Sequence, residues 1–344
     1  MKLVGLVESS EHVCCRYRFR AFIPELESLG WNVAMRAVPS GIFQQLWRDQ
    51  SADVTLLQRK LLDTIQLRLL RHRSTRLVFD FDDAVFLRDS YAAKGPNTHR
   101  RVARFRRTIQ FADAVIAGNS FLAEQADQFT DPDRVFVVPT CVNPAKYEPK
   151  YLLPASDPAA DSSELVWIGC SSTLRALERA QAMLDAIGRA LPGVRLKVIC
   201  NRFPVFRNLP VIPVHWSEST EAQQLAQSDI GISWLPDDSW TRGKCGLKIL
   251  QYMAAGLPVV ANRVGVHPEM VEHGRSGFLV DTESDWIDAI RMLARDADLR
   301  RDMGQRGRQI VEEWYSVSRW APVTEQILAG RPVIAPADKV SAAA

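Results

Sequence analysis

The chain has 344 residues, 47% of them hydrophobic and 24% charged, a length that suits two domains of roughly 150 residues and a composition that excludes disordered and fibrous classes. No run approaches the roughly 20 apolar residues of a membrane-spanning helix, and the opening MKLVGLVESSEH turns acidic too soon for a signal peptide, so the cytoplasm is the expected compartment. The net charge is +3 and no nucleic-acid partner is expected; cysteines at 14, 15, 141, 170, 200 and 245 show neither CxxC nor Cys/His spacing, which favours free thiols and no metal site.

From the N-terminus, MKLVGLVE, WNVAMRAV, ADVTLLQ, RLVFDFD, AVIAGN and RVFVVPT read as strands, several nearly continuous in apolar residues, as strands covered on both faces are. Helical patterns separate them, the first being RYRFRAFIPELESLG with Gly30 as its C-cap. This alternation predicts a parallel, doubly wound sheet over 1–150. A stretch rich in Pro, Ala, Ser and Asp follows, and 151–163 is expected to be a linker.

Over 164–314 the alternation restarts, with strands at ELVWIGC, VRLKVIC, VIPVHW, DIGISWLP, LPVVANRV and GFLVD, and helices at LRALERAQAMLDAIGRAL, STEAQQLAQS and GLKILQYMAAG. YSVSRWAPVTEQIL supplies a terminal helix over 315–330, and 331–344 a frayed tail. The fold class is therefore α/β, two doubly wound Rossmann-like domains with a cleft between them. Ligands of such sheets sit beyond the carboxyl ends of the strands, so the loops that follow strands hold the candidate site residues.

Charge is unevenly spread. Between Arg59 and Arg107 there are 13 Lys/Arg against 5 Asp/Glu, a local balance of +8 that reads either as a solvated helical face or as attraction to an anionic membrane surface or acidic acceptor. RLVFDFDDAVF sets Asp80, Asp82 and Asp83 at the end of an apolar strand, where three carboxylates are costly unless paired, capping or functional. In KCGLKILQYMAAGLPVVANRVG, residues 244–265, a helix starting near Lys244 places Leu247, Leu250 and Met253 on a core stripe and Lys244, Lys248 and Gln251 on another face. Gly243 and Gly246 let the backbone approach a ligand there, and two lysines at a helix N-terminus suit an anion, most naturally a diphosphate; the alternative is a plain surface helix. Asn119 and Ser120 read as the N-cap after the fifth strand.

The run GISWLPDDSWTRGKCGLKILQYMAAGLPVVANRVGVHPEMVEHGRSGFLV resembles the donor-binding half of the family 4 glycosyltransferases, the retaining group 1 enzymes with the two-domain GT-B fold. RQIVEEWYSVSRWAPVTEQIL resembles that family's terminal helix, which crosses back to the first domain. The resemblance implies transfer of a sugar from a nucleotide-diphosphate sugar, with no other cofactor and no metal, to a glycan or lipid-linked acceptor. With a lipid-linked acceptor, the +8 region is expected to bring the chain to the inner face of the membrane as a peripheral protein. The family's paired glutamates are replaced by Gly243 and Gln251. An amide can share the ribose contact of the second glutamate, but Gly243 cannot replace the first, and Lys244, Lys248 or Arg242 would supply positive charge, as in a subgroup with GKCGxKxLQYMA.

By the same resemblance Asp83 or its neighbour Asp82 contacts the acceptor or the reacting sugar, and Arg16 and Arg18, in the loop after the first strand, approach acceptor or donor phosphate unless they are simply solvated. Asn119 falls on the same side. Asn201, between Cys200 and Arg202, lies where relatives hold the nucleotide base. Glu269 faces the donor or caps a helix, and His267 beside it reads as a loop residue. Two other functions are weighed. D-x-D is also the nucleophile motif of haloacid-dehalogenase-like phosphatases, although no later acidic pair closes a strand here. A degenerate member that binds a nucleotide sugar or partner without transfer is what loss of both glutamates would look like.

Overall fold

The computed structural model describes residues 1–38, 52–152 and 163–334; positions 153–162 of the expected linker and 335–344 of the expected tail lie outside the described residues. Every segment read as a strand is one. β1 (Lys2–Val7), β2 (Asn32–Ala37), β3 (Val54–Gln58), β4 (Arg76–Phe81), β5 (Ala114–Ala117) and β6 (Val135–Val137) form a sheet in the order β2-β1-β3-β4-β5-β6. β7 (Glu164–Ile168), β8 (Arg195–Cys200), β9 (Val211–His215), β10 (Ile230–Ser233), β11 (Val259–Asn262) and β12 (Gly277–Val280) form another, ordered β12-β11-β10-β7-β8-β9. All pairings within both sheets are parallel. Strand order therefore reverses between β1 and β3 in the first sheet and between β7 and β10 in the second, and those switch points are where doubly wound sheets open a crevice for ligand.

Two compact units contain these sheets. The first gathers residues 1–141, 238–245 and 317–344, the second 142–237 and 246–316. The chain thus leaves the second unit after Asp237 and re-enters it at Gly246, and the helix Val317–Ala329 belongs to the first unit. Trp31 Nε1 donates to Glu325 Oε1 (3.1 Å) where that helix packs.

The pleat of β4 explains the first core. Leu77, Phe79 and Phe81 face one hydrophobic cluster, while Val78 faces the other. Asp80 shares the side of Val78, buried at 3% exposure, and meets Arg18 there. This meeting breaks the first expected helix. It runs from Val13 to Arg18, stops as Phe19 turns into the core, and restarts at Ile23 with Pro24 in its first turn, the helical position proline tolerates. Gly30 takes φ +86, as a residue beyond a helix end does.

In the second unit the expected helix near Lys244 begins at Leu247 and ends at Ala254. Gly246 is its N-cap at φ +64, and any side chain there would run into Met270 Sδ, so both conformation and space demand glycine. Tyr252 fixes the helix on the sheet: Ile168 N–H donates to its hydroxyl (3.1 Å), which donates to Ile232 O (3.2 Å).

Candidate functional site

Each unit carries its own polar centre at the carboxyl ends of its strands. In the first, β4 ends at Phe81 and delivers Asp82 and Asp83, with side chains 12% and 10% exposed. Two cations meet them. Arg59, the residue after β3, brings Nη2 to 3.0 Å from Asp83 Oδ2 and Nη1 to 3.9 Å from Asp82 Oδ1, and reaches Cys14 Sγ. Lys244 Nζ lies 2.9 Å from Asp83 Oδ1 and 3.0 Å from Oδ2, and sits 3.6 Å above the Trp240 ring. Burial pushes the Asp82 carboxyl up, but Arg59 and then Arg18 outweigh it and hold it below the usual carboxylate range.

Asn119 locks this arrangement. Its Oδ1 caps the helix Ser120–Asp127 by accepting from Leu122 N–H (2.8 Å), and its Nδ2 donates to the carbonyls of Arg242 and Lys244 at 3.2 Å each. The capping expectation for Asn119 thus holds, with a second task added. Gly243 is buried in the same seam: a Cβ there would lie 2.8 Å from Ala84 Cβ and from Ala84 N, and 3.2 Å from Leu122 Cδ2. A glutamate at that position would have to displace the backbone of Ala84.

These contacts correct the reading of Lys244. It precedes the helix, so it shares no helical face with Lys248 and Gln251, and it lies in the first unit paired with Asp83. Lys244 and Asp83 form a direct ion pair. Arg18 is corrected too: it is neither solvated nor open to a ligand, but buried, ion-paired with Asp80 and donating to Val138 O (2.5 Å). Burial outweighs Arg18 and raises the Asp80 carboxyl above its ordinary value. An Asp80 so enclosed within a strand is no phosphatase nucleophile. Arg16 is also buried, its guanidinium 5.3 Å from the Tyr17 ring centroid.

The second centre lies at the β7/β10 switch point. Lys248, in the first turn of the helix Leu247–Ala254, holds Nζ 5.1 Å from the Trp167 ring of β7. Cys170 follows β7 at the N-cap of the helix Ser171–Arg179, exposed, with Sγ 3.0 Å from Ser172 Oγ. Burial raises its thiol, but hydrogen bonds from Ser172 and Thr173 and the charge of Lys248 bring it down to about 7. His267 is buried at 1%, and burial lowers its imidazole to about 4. Gln251 is buried as well and donates to the Tyr147 hydroxyl (3.4 Å), inside the unit and not out from the helix face. Glu269 is exposed in the short helix His267–Met270, with partial desolvation raising its carboxyl, and Asn201 is exposed after β8. No group of three or more His, Cys, Asp or Glu side chains among the described residues is placed to hold a metal ion.

Sequence reasoning missed Arg59 and Cys170 as site residues. Arg59 was visible only as the first member of a basic run, although it stands directly after a strand at the switch point. Cys170 was visible as the residue ending ELVWIGC, with nothing to separate it from five buried cysteines.

A doubly wound sheet in each unit, with polar residues gathered at the strand ends, defines the GT-B class of glycosyltransferase fold. Residues 165–296 match the family described as Glycosyl transferases group 1. The chain is 29% identical over 261 residues to the alpha-maltose-1-phosphate synthase of Mycolicibacterium smegmatis, a match covering 65% of this chain and 64% of that protein. The matched region is less than two thirds of the length of the first curated relatives. Among solved structures, the sucrose-phosphate synthase of Thermosynechococcus elongatus superposes with a TM-score of 0.70 at 14% identity, covering 96% of this chain and 98% of that one. Anabaena Alr3699/HepE in complex with UDP and glucose gives 0.64 at 15%, covering 96% and 100%.

Proposed function

We propose that the chain transfers a sugar, with retention, from a nucleotide-diphosphate sugar to a glycan or lipid-linked acceptor in the cytoplasm. The observation that carries this reading is the second centre: a glycine-capped helix start with Lys248 in its first turn, at the switch point of a doubly wound sheet. The helix dipole favours an anion there. HepE, whose fold is shared, was solved with UDP, which supports a nucleoside diphosphate as ligand. Charge developing on the departing diphosphate is met by dipoles and an ammonium already in place, the electrostatic route to lowering a barrier. Asp83 acts on the transferred sugar or acceptor and does not hold the nucleotide. Lys248 and the helix start can neutralise the leaving group, so turnover is expected to persist in EDTA; loss restored by magnesium or manganese would refute that.

The acceptor side of the reading rests on charge. The helices Thr64–Arg73 and His99–Phe111 carry three and five arginines and no acidic residue, lie side by side through Arg107 Nη1 donating to Thr64 Oγ1 (2.6 Å), and expose Ile65 and Val102. That face suits an anionic membrane bearing a lipid-linked acceptor. No helix among the described residues is long and apolar enough to cross a membrane. Co-sedimentation with anionic vesicles at low salt is the check, and its absence would leave the face simply solvated.

A thermal-shift screen of UDP, GDP, ADP and CMP tests the donor reading. With the nucleotide that stabilises most, calorimetry on Lys248→Ala should show at least about tenfold weaker binding, about 1.4 kcal/mol. Unchanged affinity would remove Lys248 from the site.

A further inference from the structure

Among the described residues one non-glycine, Arg59, has a positive φ, +47. It is the middle of a three-residue turn closed by Lys60 N–H donating to Gln58 O (2.6 Å), while its own N–H donates to Asp80 O (2.7 Å). Tight turns of this hand are rare and strained for a residue with a side chain, and glycine would fill the position without steric strain. Such strain persists where the surroundings over-determine it, typically at functional sites. Arginine here is aimed. The turn lies where strand order reverses between β1 and β3, and the guanidinium it carries spans the helix Val13–Arg18, through Cys14, and the loop after β4, through Asp82 and Asp83.

We infer that Arg59 is a positioning residue for transfer: together with Lys244 it fixes Asp83, so that a carboxylate of set direction faces the crevice of the first sheet. The inference rests on the reading that Asp83 acts on the transferred sugar or acceptor. Its chemistry is specific to arginine. A planar fork can address Asp83 and Asp82 at once, whereas an ammonium is a point charge. Lys244 cannot take over both, because its ammonium is already shared between the two oxygens of Asp83 and the face of Trp240. Asp82 also feels Arg18, Lys244, Cys14, Cys245 and His12, so its titration reports the whole cluster, with Arg59 the largest of the charges that lower it.

The test compares Arg59→Gln, Arg59→Lys and Asp83→Asn in the full chain. Turnover is read as nucleoside diphosphate release from UDP-, GDP- and ADP-glucose, nucleotide affinity by calorimetry, and the Asp82 carboxyl by carbon NMR after labelling at aspartate Cγ. Arg59→Gln should lower turnover at least about tenfold, leave nucleotide affinity within about threefold, and move the Asp82 titration up by about one pH unit, the scale of a lost neighbouring cation. Arg59→Lys should restore the titration but only part of the turnover, and it serves as the folded comparison if the glutamine variant melts early. A merely structural role would lower the folded fraction without separating charge from shape in this way. Unchanged titration in Arg59→Gln, wild-type turnover in both variants, or equal loss of affinity and turnover overturns the inference. If Asp83→Asn transfers normally, the reading of Asp83 falls whatever Arg59 does; if Asp83→Asn is impaired and both Arg59 variants are normal, the Arg59 inference alone falls.

Discussion

Acidification should destabilise the protein through His267, by an amount set by its surroundings. Nδ1 lies 2.8 Å from Asn262 O, and because a carbonyl only accepts, Nδ1 carries the proton and Nε2 accepts from the Ser233 hydroxyl 3.3 Å away. A second proton on Nε2 would break the latter bond and bury a cation. Burial, opposed by the Asn262 bond and reinforced by Lys248, holds the imidazole at about 4 against an ordinary 6.5. The unfolded chain therefore takes up the proton first: stability is fully present above about pH 6.5 and is lost as pH falls toward about 4. At about 1.4 kcal/mol per pH unit the complete loss is roughly 3 kcal/mol, and about 2 kcal/mol of it is reached by pH 5. His267→Gln retains an N–H for the Asn262 carbonyl but does not titrate. Urea unfolding of both proteins at pH 7.5 and pH 5.0 should show the parent losing about 2 kcal/mol more than the variant, since every other group is common to both. Equal losses would mean that the imidazole is already charged or wet at neutral pH, and the argument from burial would fail.

Gly243→Glu should destabilise by about 3 kcal/mol or more, because overpacking against Ala84 and Leu122 is added to a buried charge, and a variant with unchanged melting would refute the close approach. Cys170 should react with iodoacetamide half-maximally near pH 7 while Cys14, Cys141 and Cys245, whose thiols burial pushes up, stay inert in the folded protein; mass spectrometry of the modified peptides separates these outcomes. Lys244→Ala should keep nucleotide affinity within about threefold, in contrast to Lys248→Ala, and equal weakening in the two would return Lys244 to the donor site.

The strands were legible because each is a short apolar run between turn residues, and a parallel sheet covered on both faces imposes that pattern locally. The cap at Asn119 was legible for the same reason, since Asn before a helical run satisfies an orphan N–H within three residues. Its second role was not, because the carbonyls it holds belong to residues 242 and 244. Arg18 was misread for a related cause. An arginine in an amphipathic pattern looks solvated until a partner 62 positions later, Asp80, is folded beneath it. The left-handed turn at Arg59 is invisible because nothing in TLLQRK marks a positive φ where glycine is absent.

Lys244 and Lys248 show most sharply what spacing alone conceals. Four residues apart, they would share a helical face if the helix ran through both, and a diphosphate between them would follow. Gly246 prevents that: its φ of +64 ends the run, and the chain changes unit between Cys245 and Gly246. The two charges then serve different balances. Lys244 and Arg59 face Asp82 and Asp83, two cations against two carboxylates, which leaves that centre close to neutral and unsuited to drawing in an anion. Lys248 has a π face beneath it and a helix start beside it. On the proposed reading the diphosphate is met in the second unit and carboxylate chemistry belongs to the first, and one glycine separates the two tasks.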